Sequence, residues 1–168
     1  RPMKRIIDPI SETGAIVNSP KNEGLPITVI GNKIPLPIKF ESLISSAQVK
    51  SCVLLTGLSS TGVTTFVEPF LSRDHTERML KYFGARINTK QLQNSKWETK
   101  LYGLPNLKPL EINIPSDPSS ASFPLVSAII TPNSKIKVLN VCINELRIGL
   151  YKTLIEMGAK IIFSNKRE

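Results

Sequence analysis

Two short polar segments carry residue types at spacings that bind anions. The first is Ser45-Ser46-Ala47-Gln48, at the head of an apolar stretch. Small hydroxyl residues at a helix start leave the first backbone N–H groups open, and the helix dipole adds positive potential, so a phosphate can approach. Gln48 can donate and accept hydrogen bonds, and Lys50 stands nearby. The second segment, Ser72-Arg73-Asp74-His75-Thr76-Glu77, offers a hydroxyl, a guanidinium and an imidazole within one turn of another helix start. An ordinary serine cap and a solvated surface turn account for the same residues without any ligand.

Other motifs fail on chemistry. Gly57-Leu58-Ser59-Ser60-Thr61-Gly62-Val63-Thr64 nearly spells a nucleotide phosphate loop, but Val63 replaces the lysine and the order is helix then strand, the reverse of what that loop needs. His75 beside Asp74 does not make a hydrolase triad, since no G-x-S-x-G elbow accompanies it. One histidine and two cysteines, Cys52 and Cys142, are too few for a tetrahedral zinc site or a disulfide framework, so no metal is expected. Cys52, inside an apolar helix, reads as buried and inert.

The elements that must hold these segments repeat along the chain. Ser45-Ser46-Ala47 and Ser119-Ser120-Ala121 lie 74 positions apart, as do Arg73 and Arg147, and Leu80 and Leu154. In both copies a Gly-Ala pair follows the first serine by 39 positions, at Gly84-Ala85 and Gly158-Ala159. A third pair, Gly14-Ala15, precedes Gly84-Ala85 by 70 positions, after a helical segment at 3–12 and before a strand. This pattern predicts a duplicated module, with the chain beginning and ending inside one, and hence a piece of a longer protein.

Within one module, 45–58 reads as a buried helix and 59–62 as a turn. Residues 63–68 are β-branched and short, which predicts a strand. Residues 73–83 carry Asp74–Arg78 and Glu77–Lys81 at i,i+4 and stop at Gly84, which predicts an amphipathic helix with a left-handed cap. Strands are expected at about 85–90, 97–102 and 110–114. The second copy predicts helices at 119–130 and 145–157 and strands at 135–141 and 159–164.

Composition sets the outer limits. The chain has 168 residues, 22 Lys+Arg against 13 Asp+Glu for a net charge of +9, and 40% hydrophobic residues, which excludes a disordered tail. No run approaches the ~18 apolar residues of a membrane span, and Asp8, Pro9 and Glu12 interrupt any signal-like stretch, so a cytoplasmic protein without a membrane partner is expected. The basic residues are scattered singly, so a basic surface without specific function ranks first, an anionic small-molecule site next and a nucleic-acid-binding module third.

Several segments together resemble the 5-enolpyruvylshikimate-3-phosphate synthase family, the 3-phosphoshikimate 1-carboxyvinyltransferases. They are Arg1-Pro2-Met3, Ser46-Ala47-Gln48-Val49-Lys50-Ser51, Glu68-Pro69, Ser72-Arg73-Asp74-His75-Thr76-Glu77-Arg78-Met79-Leu80, Phe83-Gly84-Ala85, Ser116-Asp117-Pro118-Ser119-Ser120-Ala121-Ser122-Phe123 and Met157-Gly158-Ala159. The resemblance runs along essentially the whole chain and favours this family over the UDP-N-acetylglucosamine enolpyruvyl transferases. It implies an α/β (α+β) fold, the enolpyruvyl transferase-like inside-out α/β barrel built from repeated β-α-β-α-β-β units, with active site helix N-termini lining a cleft between two domains. Residues 1–115 would be the later part of the first domain and 116–168 the opening of the second.

Carried over by position, the resemblance implies that Ser46, Ala47, Gln48 and Ser72 bind shikimate 3-phosphate, with help from Arg73. Arg1 and Gln48 would meet phosphoenolpyruvate. The implied reaction moves the enolpyruvyl group of phosphoenolpyruvate to the 5-hydroxyl of shikimate 3-phosphate by addition and elimination, releasing phosphate, with no cofactor, in an enzyme that is monomeric when whole. The family's acid–base residues have no counterpart in this chain, so no catalytic residue is expected within it and the chain alone is expected to be inactive. A non-catalytic remnant that binds phosphorylated ligands is the alternative. Three departures stand out: Ser116 replaces a usual glycine, Glu145 a usual proline, and Thr13 a usual methionine.

Overall fold

A buried helix with one lysine on its apolar stripe organises the first part of the chain. The computed structural model describes residues 3–20 and 24–167, so Arg1 lies outside the described residues. Two compact units pack separately, Arg1–Leu110 and Glu111–Glu168.

The first unit begins with α1 (Lys4–Glu12), followed by an antiparallel ribbon of β1 (Ile16–Asn18) and β2 (Thr28–Ile30), with Ile16 opposite Ile30. Then come β3 (Lys39–Glu41), α2 (Ala47–Gly57), β4 (Val63–Glu68), α3 (His75–Tyr82), β5 (Ile87–Gln91) and β6 (Trp97–Tyr102), a complete β-α-β-α-β-β unit. The sheet order is β3-β4-β6-β5. The β3·β4 pair is parallel, and β4·β6 and β5·β6 are antiparallel. The crossover through α2 is what a parallel pair requires.

Helix α2 sits between two apolar clusters. Val49 and Val53 pack with Ile38 and Phe66, backed by Ile6 of α1 and Phe40, whose ring lies 6.2 Å from that of its cross-strand partner Phe66. Leu54 packs with Leu80, Ala85 and Leu101. Val49, Lys50, Val53, Leu54 and Gly57 are all buried, the i, i+3, i+4, i+7 stripe of a helix facing a core. Gly57 allows the end of α2 to press on β4, since a Cβ there would come within 2.7 Å of Thr64 Cβ.

Lys50 has no exposed surface, and its stripe position forces an ammonium into the core. Nζ donates to Glu68 Oε1 at 3.0 Å and to the Ser72 carbonyl at 3.1 Å. Glu77 Oε1 lies 2.6 Å from Nζ, a close ion contact without hydrogen-bond alignment. Glu77 therefore pairs with Lys50 and not with Lys81 as expected from the i,i+4 spacing. It lies three residues before Leu80, on the buried face of α3, whereas Asp74 and Arg78 pair on the exposed face at 2.8 Å. The second oxygens of Glu68 and Glu77 are buried and accept nothing among the described residues. Burial holds the Glu77 carboxyl above its ordinary value of 4.5, against the pull of Lys50.

The second unit contains α4 (Pro118–Ile130) and α5 (Gly149–Glu156). Helix α5 is α3 displaced by 74 positions, but α4 starts earlier than the repeat predicts. Its N-cap is Asp117, which accepts from the Ser119 and Ser120 N–H groups, so Ser119 and Ser120 lie inside the first turn. Those bonds, the Ser120 backbone first, hold the Asp117 carboxyl below its ordinary range. The strands expected at 110–114, 135–141 and 159–164 do not form among the described residues. A strand exists only through a ladder partner, and the sole rung here is a parallel bridge between Ser116 and Val141. Ser116, in place of glycine, is not among the residues with positive φ, so that substitution strains nothing. Ile114, Phe123, Ile130, Leu139 and Ile162 are exposed.

The left-handed caps follow the repeat. Gly14, Gly84 and Gly158 have φ of 89°, 97° and 98°. After α3, Gly84 N–H donates to Lys81 O and Ala85 N–H to Leu80 O; after α5, Gly158 and Ala159 donate to Ile155 O and Leu154 O. Both are Schellman closures.

Three measurements test these assignments. Gly84→Ala should cost about 1–2 kcal/mol in urea unfolding because its Cβ meets the left-handed penalty, whereas Gly31→Ala, with open space and no positive φ, should cost less than about 0.5 kcal/mol. Lys50→Met should cost about 3–5 kcal/mol, since it leaves two buried carboxylates without a cation. Because the folded chain holds the Glu77 proton more tightly than the unfolded chain, this group's stabilisation is complete below pH 4.5 and is lost as pH rises through the raised folded value. Urea midpoints should therefore fall more steeply above pH 4.5 in the native chain than in Glu77→Gln; equal slopes would refute a raised Glu77.

Candidate functional site

Ser46 caps α2 from an extended backbone, φ −148° and ψ 108°, and its hydroxyl accepts from the Val49 N–H at 3.4 Å. That long bond satisfies one of the four free N–H groups of the first turn. Ala47 adds only a methyl group beside the first-turn N–H groups. Gln48 is exposed, and its Oε1 accepts from Arg5 Nη2 at 3.3 Å, so α1 brings a positive charge beside it.

The segment carrying Ser72 and Arg73 is fastened against this helix start at three places. The Ser45 hydroxyl donates to Phe70 O at 2.6 Å and accepts from Phe70 N–H at 2.9 Å. Lys50 Nζ donates to Ser72 O, while Glu68 Oε1 accepts from Ser72 N–H at 3.0 Å. The Ser51 and Thr76 hydroxyls lie 2.6 Å apart and tie α2 to α3. Ser46, Ala47, Gln48, Ser72 and Arg73 therefore come together on adjoining segments. The Ser72 Oγ is buried and has no hydrogen-bond partner among the described residues.

Lys50 differs from its expected place. It does not stand free beside the helix N-terminus, because its three neighbours in the core consume it. The signal was its position on the buried stripe of α2. The motifs contained both glutamates without revealing their pairing with Lys50, and Arg5 stood outside them: Arg5 enters through the contact of α1 with α2, and Glu68 closes an otherwise uncharged strand.

The two arginines of the repeat have different surroundings. Arg147 Nη2 donates to Asp117 Oδ1 at 2.9 Å and to Ser119 Oγ at 2.8 Å. Seventy-four positions before Asp117 stands Leu43, and Arg73 forms no ion pair among the described residues. The guanidinium of the first copy is thus left without an acid among the described residues.

The remaining candidates carry no chemistry. Gly57 and Gly62 are small because Thr64 and Pro37 press on them, not to cradle a phosphate. Cys52 is half-buried where full burial was expected, and its surroundings push the thiol up, away from the reactive thiolate. His75 is exposed on the first turn of α3. No group of three or more metal-ligating side chains forms among the described residues, nor is any helix long and apolar enough to cross a membrane.

The profile of the family described as EPSP synthase (3-phosphoshikimate 1-carboxyvinyltransferase) matches residues 1–167. The 3-phosphoshikimate 1-carboxyvinyltransferase of Parvibaculum lavamentivorans is 48% identical over 168 residues, all of this chain and 37% of the relative. That of Bartonella tribocorum is 46% identical over all of this chain and 38% of its own length. The solved EPSP synthase of Acinetobacter baumannii overlays with a TM-score of 0.83 at 37% identity, over all of this chain and 37% of that one. The chain thus spans a little over a third of the length of these relatives, and the mixed α/β unit of β3 to β6 is part of their inside-out fold. By profile, sequence and backbone alike, this chain belongs to the EPSP synthase family.

Proposed function

We propose that this chain supplies the shikimate 3-phosphate face of a 3-phosphoshikimate 1-carboxyvinyltransferase. The observation that carries the reading is the joining of two polar helix starts, 45–48 and 72–74, through Ser45–Phe70 and Lys50–Ser72. A phosphate at this junction would meet the free N–H groups of Ala47 and Gln48, the hydroxyl of Ser46 and the Arg73 guanidinium, and would reach the Ser72 hydroxyl only once that buried oxygen is uncovered. Such charge-assisted bonds are stronger than neutral ones, and a fixed frame spares the cost of ordering it on binding. That Arg73 forms no ion pair among the described residues supports its part: an arginine already neutralised, as Arg147 is by Asp117, would have to give up that bond first.

In the complete enzyme the enolpyruvyl group of phosphoenolpyruvate would pass to the 5-hydroxyl of shikimate 3-phosphate by addition and elimination, with release of inorganic phosphate. Gln48 and Arg1 would face phosphoenolpyruvate. On this reading residues 1–115 belong to the first domain and 116–168 to the second, and the packing boundary after Leu110 supports that division. The acid–base groups of the reaction lie outside these 168 residues. The whole protein would act as a monomer in the cytoplasm without a cofactor.

Titration calorimetry of the chain with millimolar shikimate 3-phosphate is expected to give saturable heat, and Arg73→Ala to weaken binding roughly 10- to 100-fold. No heat would sink the reading. Mixed with both substrates, the chain alone should release no phosphate; turnover would overturn the placement of the acid–base groups elsewhere.

A further inference from the structure

We propose that Lys50 is a positioning residue for the phosphate site, acting through Ser72; this deepens the function proposed above and rests on it. Lys50 touches no solvent, so it cannot reach a ligand itself. Its ammonium instead holds the Ser72 carbonyl at 3.1 Å, and Glu68 Oε1, which that ammonium holds at 3.0 Å, takes the Ser72 N–H at 3.0 Å. One ion pair thus grips Ser72 by both of its backbone polar groups and leaves its buried hydroxyl without a hydrogen-bond partner among the described residues.

The same ammonium is covalently part of α2, whose first turn bears Ser46, Ala47 and Gln48. The Lys50 N–H also donates to Ser46 O at 2.9 Å. The two halves of the site are therefore referenced to one side chain. Glu77, at 2.6 Å on the opposite side, pulls α3 onto the same point and limits the freedom of the segment between β4 and α3. An apolar replacement of the cluster could preserve the packing, but it would offer nothing to hold Ser72 in register with α2.

The test uses Lys50→Met/Glu68→Met/Glu77→Met in the 168-residue chain. These unbranched substitutions remove all three buried charges together and keep side-chain volume, which avoids the orphaned carboxylates of Lys50→Met alone. Backbone NMR spectra report whether the sheet is retained, and titration with shikimate 3-phosphate reports affinity. The expected result is a folded variant whose affinity falls roughly tenfold or more, with faster hydrogen exchange at the Ser72 amide. A folded variant that binds within about twofold of the native chain would overturn the proposal, since a merely structural cluster leaves affinity unmoved. If the variant does not fold, hydrogen exchange in the native chain decides. A Ser72 amide as protected as those of β4 supports the grip, and one that exchanges like an open loop refutes it. Failure of the native chain to bind shikimate 3-phosphate at all is a separate outcome, which removes the functional reading and this inference with it.

Discussion

One ammonium in an apolar core constrains everything around it. Three elements, α2, β4 and α3, each contribute a charge to the point occupied by Lys50 Nζ, and none can shift without exposing another charge to a dry environment. Burying an ion pair is a poor way to gain stability, because desolvation consumes the Coulomb attraction. Its effect is specificity: apolar side chains slide over one another at little cost, while a lysine between two carboxylates admits one arrangement. The surplus negative charge of two glutamates on one lysine is relieved in part by the raised affinity of Glu77 for its proton.

The proposed anion-binding face is built on that fixed point from unremarkable parts. A serine cap and an alanine occur at the start of countless helices. What distinguishes this helix start is the second polar segment fastened to it at Phe70, Ser72 and Thr76, and the arginine that the first module leaves without an acid. In the second module the corresponding arginine is bonded to the N-cap aspartate of α4. Duplicated backbones thus carry different electrostatics, and a single position, Leu43 against Asp117, accounts for the contrast.

Much of the first unit was legible because its signals are local. The serine cap of α2, the β-branched run of β4 and the glycine that stops α3 each name their own element, and observed boundaries agree to within about two residues. Strands β2 and β3 were not legible: each is three residues long, and each exists because a partner aligns it rather than through its own pattern. The converse error appears in the second unit, where β-branched stretches look like strands but find no ladder. At the candidate site, Ser46, Ala47, Gln48, Ser72 and Arg73 were visible in the motifs. Lys50, Glu68 and Glu77 stood in the motifs too, but their partnership did not show, since the pairing of Lys50 with Glu68 and Glu77 spans 18 and 27 positions, and the helical spacing of Glu77 pointed to the wrong lysine.

The three left-handed glycines carry a further consequence, for how such a chain keeps time with itself. Successive caps are 70 and 74 residues apart, yet their φ angles differ by less than ten degrees. Length can therefore vary by four residues between caps without disturbing the next one, because each cap re-establishes the chain's direction from purely local bonds. Side chains between these marks are free to diverge while the phase of the duplication persists, and a reader who lost every other trace of it could still count the modules by their mirror-image residues.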